Sequence, residues 1–204
     1  LMPALSGPQI YNLIKQLSPD DAWQNFLRDH QNSFGFHQKG IGFARASSFL
    51  KAGQPHLTFR YHPEEIPSFD DLNMPQDVMG RLAKLHDGLV LIVGNTGSGK
   101  SSTCAALLDW INRHRKLHIL TLEDPVEFHH YSKKSTISQR NMGTDVKAFD
   151  LGVEGALRHD PDVILVGEMR DARTIRAAIS AAATGHLVLT TLHASDAATV
   201  VDRI

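Results

Sequence analysis

A glycine-rich loop is the segment of this chain whose residue types and spacing point most directly to chemistry. It reads Gly94-Asn95-Thr96-Gly97-Ser98-Gly99-Lys100-Ser101 and is followed by Ser102. Every fixed position of the phosphate-loop pattern G-x-x-x-x-G-K-[ST] is matched. Glycines let the backbone curl so that several amide N–H groups point at one phosphate chain, and the start of the next helix adds partial positive charge. The loop therefore predicts binding of ATP, with Lys100 on the β- and γ-phosphates and Ser101 on Mg²⁺.

Acidic residues follow two later apolar stretches. Thr121–Phe128 reads TLEDPVEF, and 164–171 reads ILVGEMRD with Glu168 directly after the apolar run. Polar groups at the carboxyl ends of parallel strands meet at one edge of the sheet, where the phosphate loop also lies. Because ATP hydrolysis needs a carboxylate near Mg²⁺ and a second one for the attacking water, we predict Glu168 near the metal. The residues alone favour Glu123 for the water, although Asp124 before a proline is also typical of a turn.

Two histidines, His186 and His193, flank the last apolar stretch of the chain. Sensing of the γ-phosphate by His193 and a purely structural histidine are both compatible with this position. A metal site at the adjacent His129 and His130 is disfavoured, because successive side chains of a strand point to opposite faces.

Apolar stretches alternate with helical patterns over the second half of the chain, which predicts a parallel α/β sheet covered on both faces. The expected strands are 89–93, 117–122, 163–166 and 187–191. The expected helices are 100–113, 146–158, 171–183 and a last one from residue 194 onward.

The first third of the chain shows a different pattern of helical and β-like stretches. Helical spacing at 10–17, a second helix opening at Asp20 and three β-like stretches at 33–37, 41–49 and 56–61 predict a small α+β domain over 1–67. Residues 68–76 are predicted to be a linker, and 77–204 the α/β core. Because the sequence begins at Leu1 and stops inside a helical pattern, we expect it to be part of a longer chain.

Composition excludes several classes of protein. The chain has 204 residues, 42% of them hydrophobic, which is ordinary globular usage rather than that of a disordered or fibrous chain. The formal net charge of -1 provides no global field for nucleic acid, so no nucleic-acid partner is expected. The single cysteine excludes a disulfide framework within the chain and fits a cytoplasmic location.

Four blocks taken together resemble the type II/type IV secretion ATPase superfamily. GNTGSGKSS, TLEDPVEF, ILVGEMRD and TGHLVLTTLHAS are similar, in that order, to its Walker A, Asp box, Walker B and His box. Ser132-Lys133-Lys134, Gln139-Arg140 and the GEMRD segment make the twitching-motility ATPases of the PilT type the most similar branch. The resemblance implies a RecA-like ATPase core preceded by a PAS-like domain.

The resemblance also implies roles for individual residues. It moves the expectation for the acid that polarises the attacking water from Glu123 to Glu127, and it puts His186 and His193 around the γ-phosphate beside Glu168. It places arginines of the small domain against the nucleotide, which Arg60 and Arg45 match. The family has an R-x-R pair where this chain reads Phe43-Ala44-Arg45, so the first arginine is absent.

The function implied by the resemblance is a homohexameric, cytoplasmic motor that powers type IV pilus retraction through a polytopic inner-membrane platform protein. An assembly, type II secretion or conjugation ATPase of the same superfamily is the first alternative. An ATP-binding regulator with weak turnover is the second, because of the missing arginine at Phe43.

Overall fold

The computed structural model describes residues 4–38, 42–62, 64–193 and 200. The chain divides into two compact units, residues 1–65 and residues 66–204. The predicted interdomain segment contributes Phe69, only 4% exposed, to the core of the second unit. The expected helix from residue 194 onward lies outside the described residues, except for residue 200.

The first unit packs two helices on a three-stranded antiparallel sheet. A capping box between Ser6 and Gln9 starts the first helix, and the second carries two aspartates in its first turn, where the helix dipole favours them. Ala22, Phe34 and Ala46 form the buried core between helix and sheet. The elements in chain order are α1 Gly7–Leu17, α2 Asp20–Asp29, β1 Gln31–Gln38, β2 Gly42–Lys51 and β3 Gln54–His62.

The second unit is an α/β fold built on a parallel sheet of five strands in the order β4-β8-β7-β5-β6. Since all five strands run the same way, their carboxyl ends share one edge. The elements are α3 Gln76–Leu82, β4 Gly88–Val93, α4 Lys100–His114, β5 His118–Glu123, β6 Thr136–Asn141, α5 Phe149–Ala156, β7 Val163–Val166, α6 Ala172–Ala183 and β8 Leu187–Leu192.

Side chains of the central strands alternate between two apolar cores, one on each face of the sheet. In β7, Val163 and Leu165 pack with α4, whereas Ile164 and Val166 pack with α5 and α6. All four residues are at most 5% exposed. This burial on both faces is why the strands read as continuous apolar runs, and it confirms the predicted two-sided parallel sheet.

The sixth strand, β6, was missing from the sequence-based expectation. It pairs with β5 at the edge of the described sheet, with Thr121 opposite Gln139. Its residues TISQRN are mostly polar and only partly buried, so no apolar run marks it. Among the described residues, no helix is both long and apolar enough to cross a membrane.

Candidate nucleotide-binding site

The phosphate loop connects β4 to α4 at the carboxyl edge of the sheet. Gly97 and Gly99 have φ of 79° and 91°, a left-handed conformation that residues with a Cβ rarely adopt. A Cβ on Gly94 would lie 2.5 Å from Oγ of Ser98, so a side chain there would displace that hydroxyl. The loop thus adopts the tight turn that the glycine spacing predicts.

Backbone and side-chain donors converge at the start of α4. The first intrahelical bond runs from Thr103 N to Gly99 O, at 2.9 Å, so the N–H groups before Thr103 have no acceptor within the helix. The ammonium of Lys100 donates to the carbonyls of Gly94 and Asn95, both at 2.9 Å. These amides and this cation form an anion-binding end of the helix, which fits a phosphate chain.

Glu168 lies in the loop after β7, and its carboxylate faces the guanidinium of Arg170 and the imidazole of His193. Its Oε2 accepts from Nε of Arg170 at 2.8 Å, and its Oε1 lies 3.4 Å from Nε2 of His193. The other ring nitrogen of His193, Nδ1, lies 3.5 Å from Nζ of Lys100. Because β8 lies between β4 and β7, the residue that follows β8 joins the phosphate loop to the acid that follows β7.

The backbone on both sides of Glu168 is fastened to β8. Oγ1 of Thr191 donates to the carbonyl of Gly167 at 2.6 Å, and the N–H of Met169 donates to Thr191 O at 3.2 Å. Met169 is only 3% exposed and anchors the loop in the core. The backbone around Glu168 is therefore held by residues other than those that contact its carboxylate.

Glu123, the acid first expected to handle the water, is engaged inside the fold. Its carboxylate accepts from Oγ1 of Thr121 at 2.6 Å, from Nε2 of Gln139 at 3.1 Å, and from the backbone N–H of Glu127. Burial raises the pKa of Glu123, and the nearby charge of Glu127 adds to that effect. These three donors and its burial hold the carboxylate of Glu123 inside the fold.

His186 is not brought to the phosphate loop of the same chain. It precedes β8, and its carbonyl accepts from the N–H of Gly88 at the first residue of β4, the amino edge of the sheet. Its Nδ1 lies 3.0 Å from the carbonyl of Ala181 at the end of α6. His186 and His193 are seven residues apart along β8 and its ends, which at ~3.3 Å per residue is about 23 Å.

Arg45 and Arg60 lie directly opposite each other on β2 and β3 of the first unit, and both are exposed. The pair forms a basic patch on this face of the sheet, where the two like charges repel each other. Phe43, at the position of the family's first arginine, packs its ring over Gly35 of β1. A Cβ on Gly35 would clash with Cζ of that ring.

Sequence reasoning did not assign roles to Arg170, Thr191, Gln139 or Asn141, which hold the acidic segments. Only Arg170 had a local signal, since it lies two residues after Glu168. The others act across the sheet, so no spacing in the sequence reveals them.

A magnesium ion fits the donors at the edge of this sheet. The described residues contain no group of three or more metal-ligating side chains that could cage a metal. Mg²⁺ in nucleotide sites takes one or two protein oxygens and completes its shell with phosphate oxygens and water. The hydroxyl of Ser101 and the carboxylate of Glu168 are donors of that kind.

Comparison with known proteins gives consistent matches. The family model described as "Type II/IV secretion system protein" matches residues 52–204. The type IV pilus retraction ATPase PilT of Pseudomonas aeruginosa is 42% identical over 203 residues, covering 100% of this chain and 59% of that protein. A twitching motility protein of Neisseria gonorrhoeae is 41% identical and is covered to 54%.

Solved structures agree with the sequence matches. The crystal structure of the pilus retraction motor PilT with bound ADP superposes with a TM-score of 0.90 at 42% identity, over 95% of this chain and 56% of that one. The Legionella pneumophila ATPase DotB gives a TM-score of 0.80 at 30% identity, over 100% of this chain and 58% of that one. The chain thus spans little more than half the length of these relatives, and it belongs to the type II/IV secretion system ATPase family, with PilT-like sequence and fold.

Proposed function

We propose that this chain is the nucleotide-binding part of a motor ATPase that powers type IV pilus retraction. The observation that carries the proposal is the series Lys100, His193 and Glu168, whose side chains meet at the carboxyl edge of the sheet. A phosphate-binding cation, a polar sensor and an acid in one series are what hydrolysis of ATP requires. The similarity to PilT supports pilus retraction as the use of that hydrolysis.

In the proposed reaction, each group acts on a different part of ATP. The loop amides and Lys100 hold the β- and γ-phosphates, and Ser101 and Glu168 hold Mg²⁺, which neutralises charge on the phosphate oxygens. Glu127 orients the attacking water, and His193 contacts the γ-phosphate. Arg45 and Arg60 stabilise charge on the nucleotide, which their exposure and mutual repulsion favour.

The quaternary part of the proposal follows the family resemblance. The full-length protein acts as a homohexamer in the cytoplasm and transmits force to a polytopic platform protein of the inner membrane. Residues 1–67 form a PAS-like domain, 68–76 a linker and 77–204 the RecA-like core.

The test is phosphate release by the full-length protein with Mg²⁺ and ATP. Lys100→Ala is expected to lower ATP turnover on the order of 100-fold, because it removes the cation that balances the phosphate charge. Lys116→Ala is the matched control, since Lys116 is exposed and lies just before β5, at the amino edge of the sheet. Equal turnover by Lys100→Ala and the unmodified protein would contradict the assignment of the loop.

A second candidate is an ATP-binding regulator with weak turnover. It is favoured by Phe43, which stands in place of an arginine and is packed into the first unit through Gly35. Tight ADP binding together with undetectable phosphate release from the assembled protein would support this second function.

A third candidate is secretion or pilus assembly, since a type II secretion system protein E of Klebsiella pneumoniae is 43% identical over 63% of this chain.

A further inference from the structure

The segment that carries Glu127 is extended and is bound by side-chain amides rather than by a strand ladder. Burial alternates along it: Val126, Phe128 and His130 are at most 8% exposed, whereas Glu127 is half-buried and His129 is exposed. In the described part of the chain this segment belongs to no named strand, although β6 runs beside it. Something other than a backbone ladder must therefore satisfy its buried peptide groups.

Gln139 of β6 binds the segment at two backbone groups. Its Nε2 donates to the carbonyl of Phe128 at 2.9 Å and to Oε1 of Glu123 at 3.1 Å, while its Oε1 accepts from the N–H of His130 at 2.7 Å. Both protons of the amide and its oxygen are in use. Only an amide, which donates twice and accepts once in this orientation, satisfies all three partners.

Asn141, two residues further on the same strand, binds the segment on the other side of Glu127. Its Oδ1 accepts from the N–H of Val126 at 2.8 Å. The two amides therefore fix positions 126 and 128, with Glu127 between them. The N–H of Glu127 itself donates to Glu123, which Gln139 also holds.

We propose that Gln139 and Asn141 are positioning residues for Glu127, holding its carboxylate in the orientation that hydrolysis needs. This inference rests on the proposed role of Glu127 in activating water. The two residues do not touch the nucleotide in this role; they act through the backbone on either side of Glu127. Loss of Gln139 removes the donor to the carbonyl of Phe128 and the acceptor of the N–H of His130, so this part of the segment is less firmly held.

The first experiment separates turnover from binding in the full-length protein. Gln139→Met keeps the size of the side chain and removes its three hydrogen bonds, and we expect kcat for ATP to fall about 10- to 100-fold. KM and the affinity for a fluorescent ADP should stay within about 2-fold, because the phosphate loop is untouched. Gln76→Met is the matched control, since Gln76 is an exposed glutamine of the same unit that binds only Asp70 among the described residues.

A second variant tests the hydrogen bonds by pH. Gln139→Glu places an acceptor-only carboxylate against Glu123 and the carbonyl of Phe128, and turnover should fall as in Gln139→Met. Once protonated, the new side chain can donate one hydrogen bond and accept one. The turnover of Gln139→Glu relative to that of the unmodified protein should therefore rise as the pH falls from 8 to 6. A ratio that does not change with pH contradicts the proposal.

Hydrogen exchange gives a readout that does not depend on hydrolysis. In Gln139→Met the amide of His130 should exchange at least about 10-fold faster, while that of Val126, bound by Asn141, changes less. In Asn141→Ala the reverse is expected: the amide of Val126 should exchange faster, while that of His130 changes less. If the unmodified protein shows no turnover but these exchange patterns hold, the proposed ATPase function fails and the positioning contacts stand. If the exchange rates and kcat of Gln139→Met match those of the unmodified protein, the positioning role is wrong.

Discussion

Nε2 of His193 lies 3.4 Å from Oε1 of Glu168, so the residue after β8 and the acid after β7 share one contact across adjacent strands. The other oxygen of Glu168 is bound by Arg170 at 2.8 Å. A carboxylate with one oxygen fixed by a cation and the other facing a histidine keeps a defined orientation. That histidine also approaches Lys100, so a change at Glu168 reaches the phosphate loop through a single side chain.

Glu168→Gln should retain nucleotide and hydrolyse it slowly. The amide keeps the shape of the side chain but loses the negative charge that we propose lies beside Mg²⁺, and we expect kcat to fall about 100-fold or more. Phosphate release and fluorescent ADP binding measure the two properties separately. Arg170→Gln, which leaves the carboxylate intact, should lower kcat less, and loss of ADP binding in Glu168→Gln would point to misfolding instead.

Asp109 of α4 should make stability depend on acidic pH. Burial by itself raises the pKa of Asp109, but hydrogen bonds from Lys133 and Arg113 and their charges outweigh it and lower the pKa below its ordinary value. The stabilisation is therefore fully present above the unfolded pKa of ~3.9 and is lost as the pH falls through the folded pKa.

Asp109→Asn should lower the free energy of unfolding at pH 7 by about 1 kcal/mol, since both cations are partly exposed and screened. Urea unfolding from pH 7 to pH 3 measures the effect, and the difference from the unmodified protein should shrink toward pH 3. A difference that stays constant over this range would show that the ion pairs do not stabilise the fold.

Cys104 should resist alkylation in the folded protein. It lies in α4 at 3% exposure, and burial raises the pKa of its thiol to about 12. At pH 8 the thiol therefore stays protonated, and the reactive thiolate is scarce. Mass spectrometry after iodoacetamide treatment should find no adduct at Cys104 in the native protein and a complete reaction in urea. Rapid labelling without denaturant would mean that α4 opens readily.

Gly35→Ala should destabilise the first unit because the new methyl group meets the ring of Phe43. The cost is about 1 to 3 kcal/mol for overpacking. Thermal unfolding measures it, and Phe43→Ala combined with Gly35→Ala should lose less stability than the sum of the single variants. Additive losses would mean that the ring and residue 35 do not interact.

Local signals predicted the phosphate loop and most of the second unit, whereas partners from other strands escaped prediction. The loop could be found because its function depends on consecutive residues around Lys100. The edge strand β6 was missed because its polar residues carry no apolar period, and Gln139 and Asn141 were missed with it. The family resemblance put His186 around the γ-phosphate, whereas in this chain it precedes β8 at the amino edge of the sheet.

The alternation of β7 between two cores has a consequence for insertions and deletions. Adding or removing one residue within Val163–Val166 would reverse the sides to which the buried side chains beyond that point face, and would displace Glu168 from His193. The exposed turn around Gly143 and Thr144 has no such alternation to preserve. A change of length should therefore be tolerated in this turn, whereas in β7 it should disrupt the site. The two segments lie only about twenty residues apart.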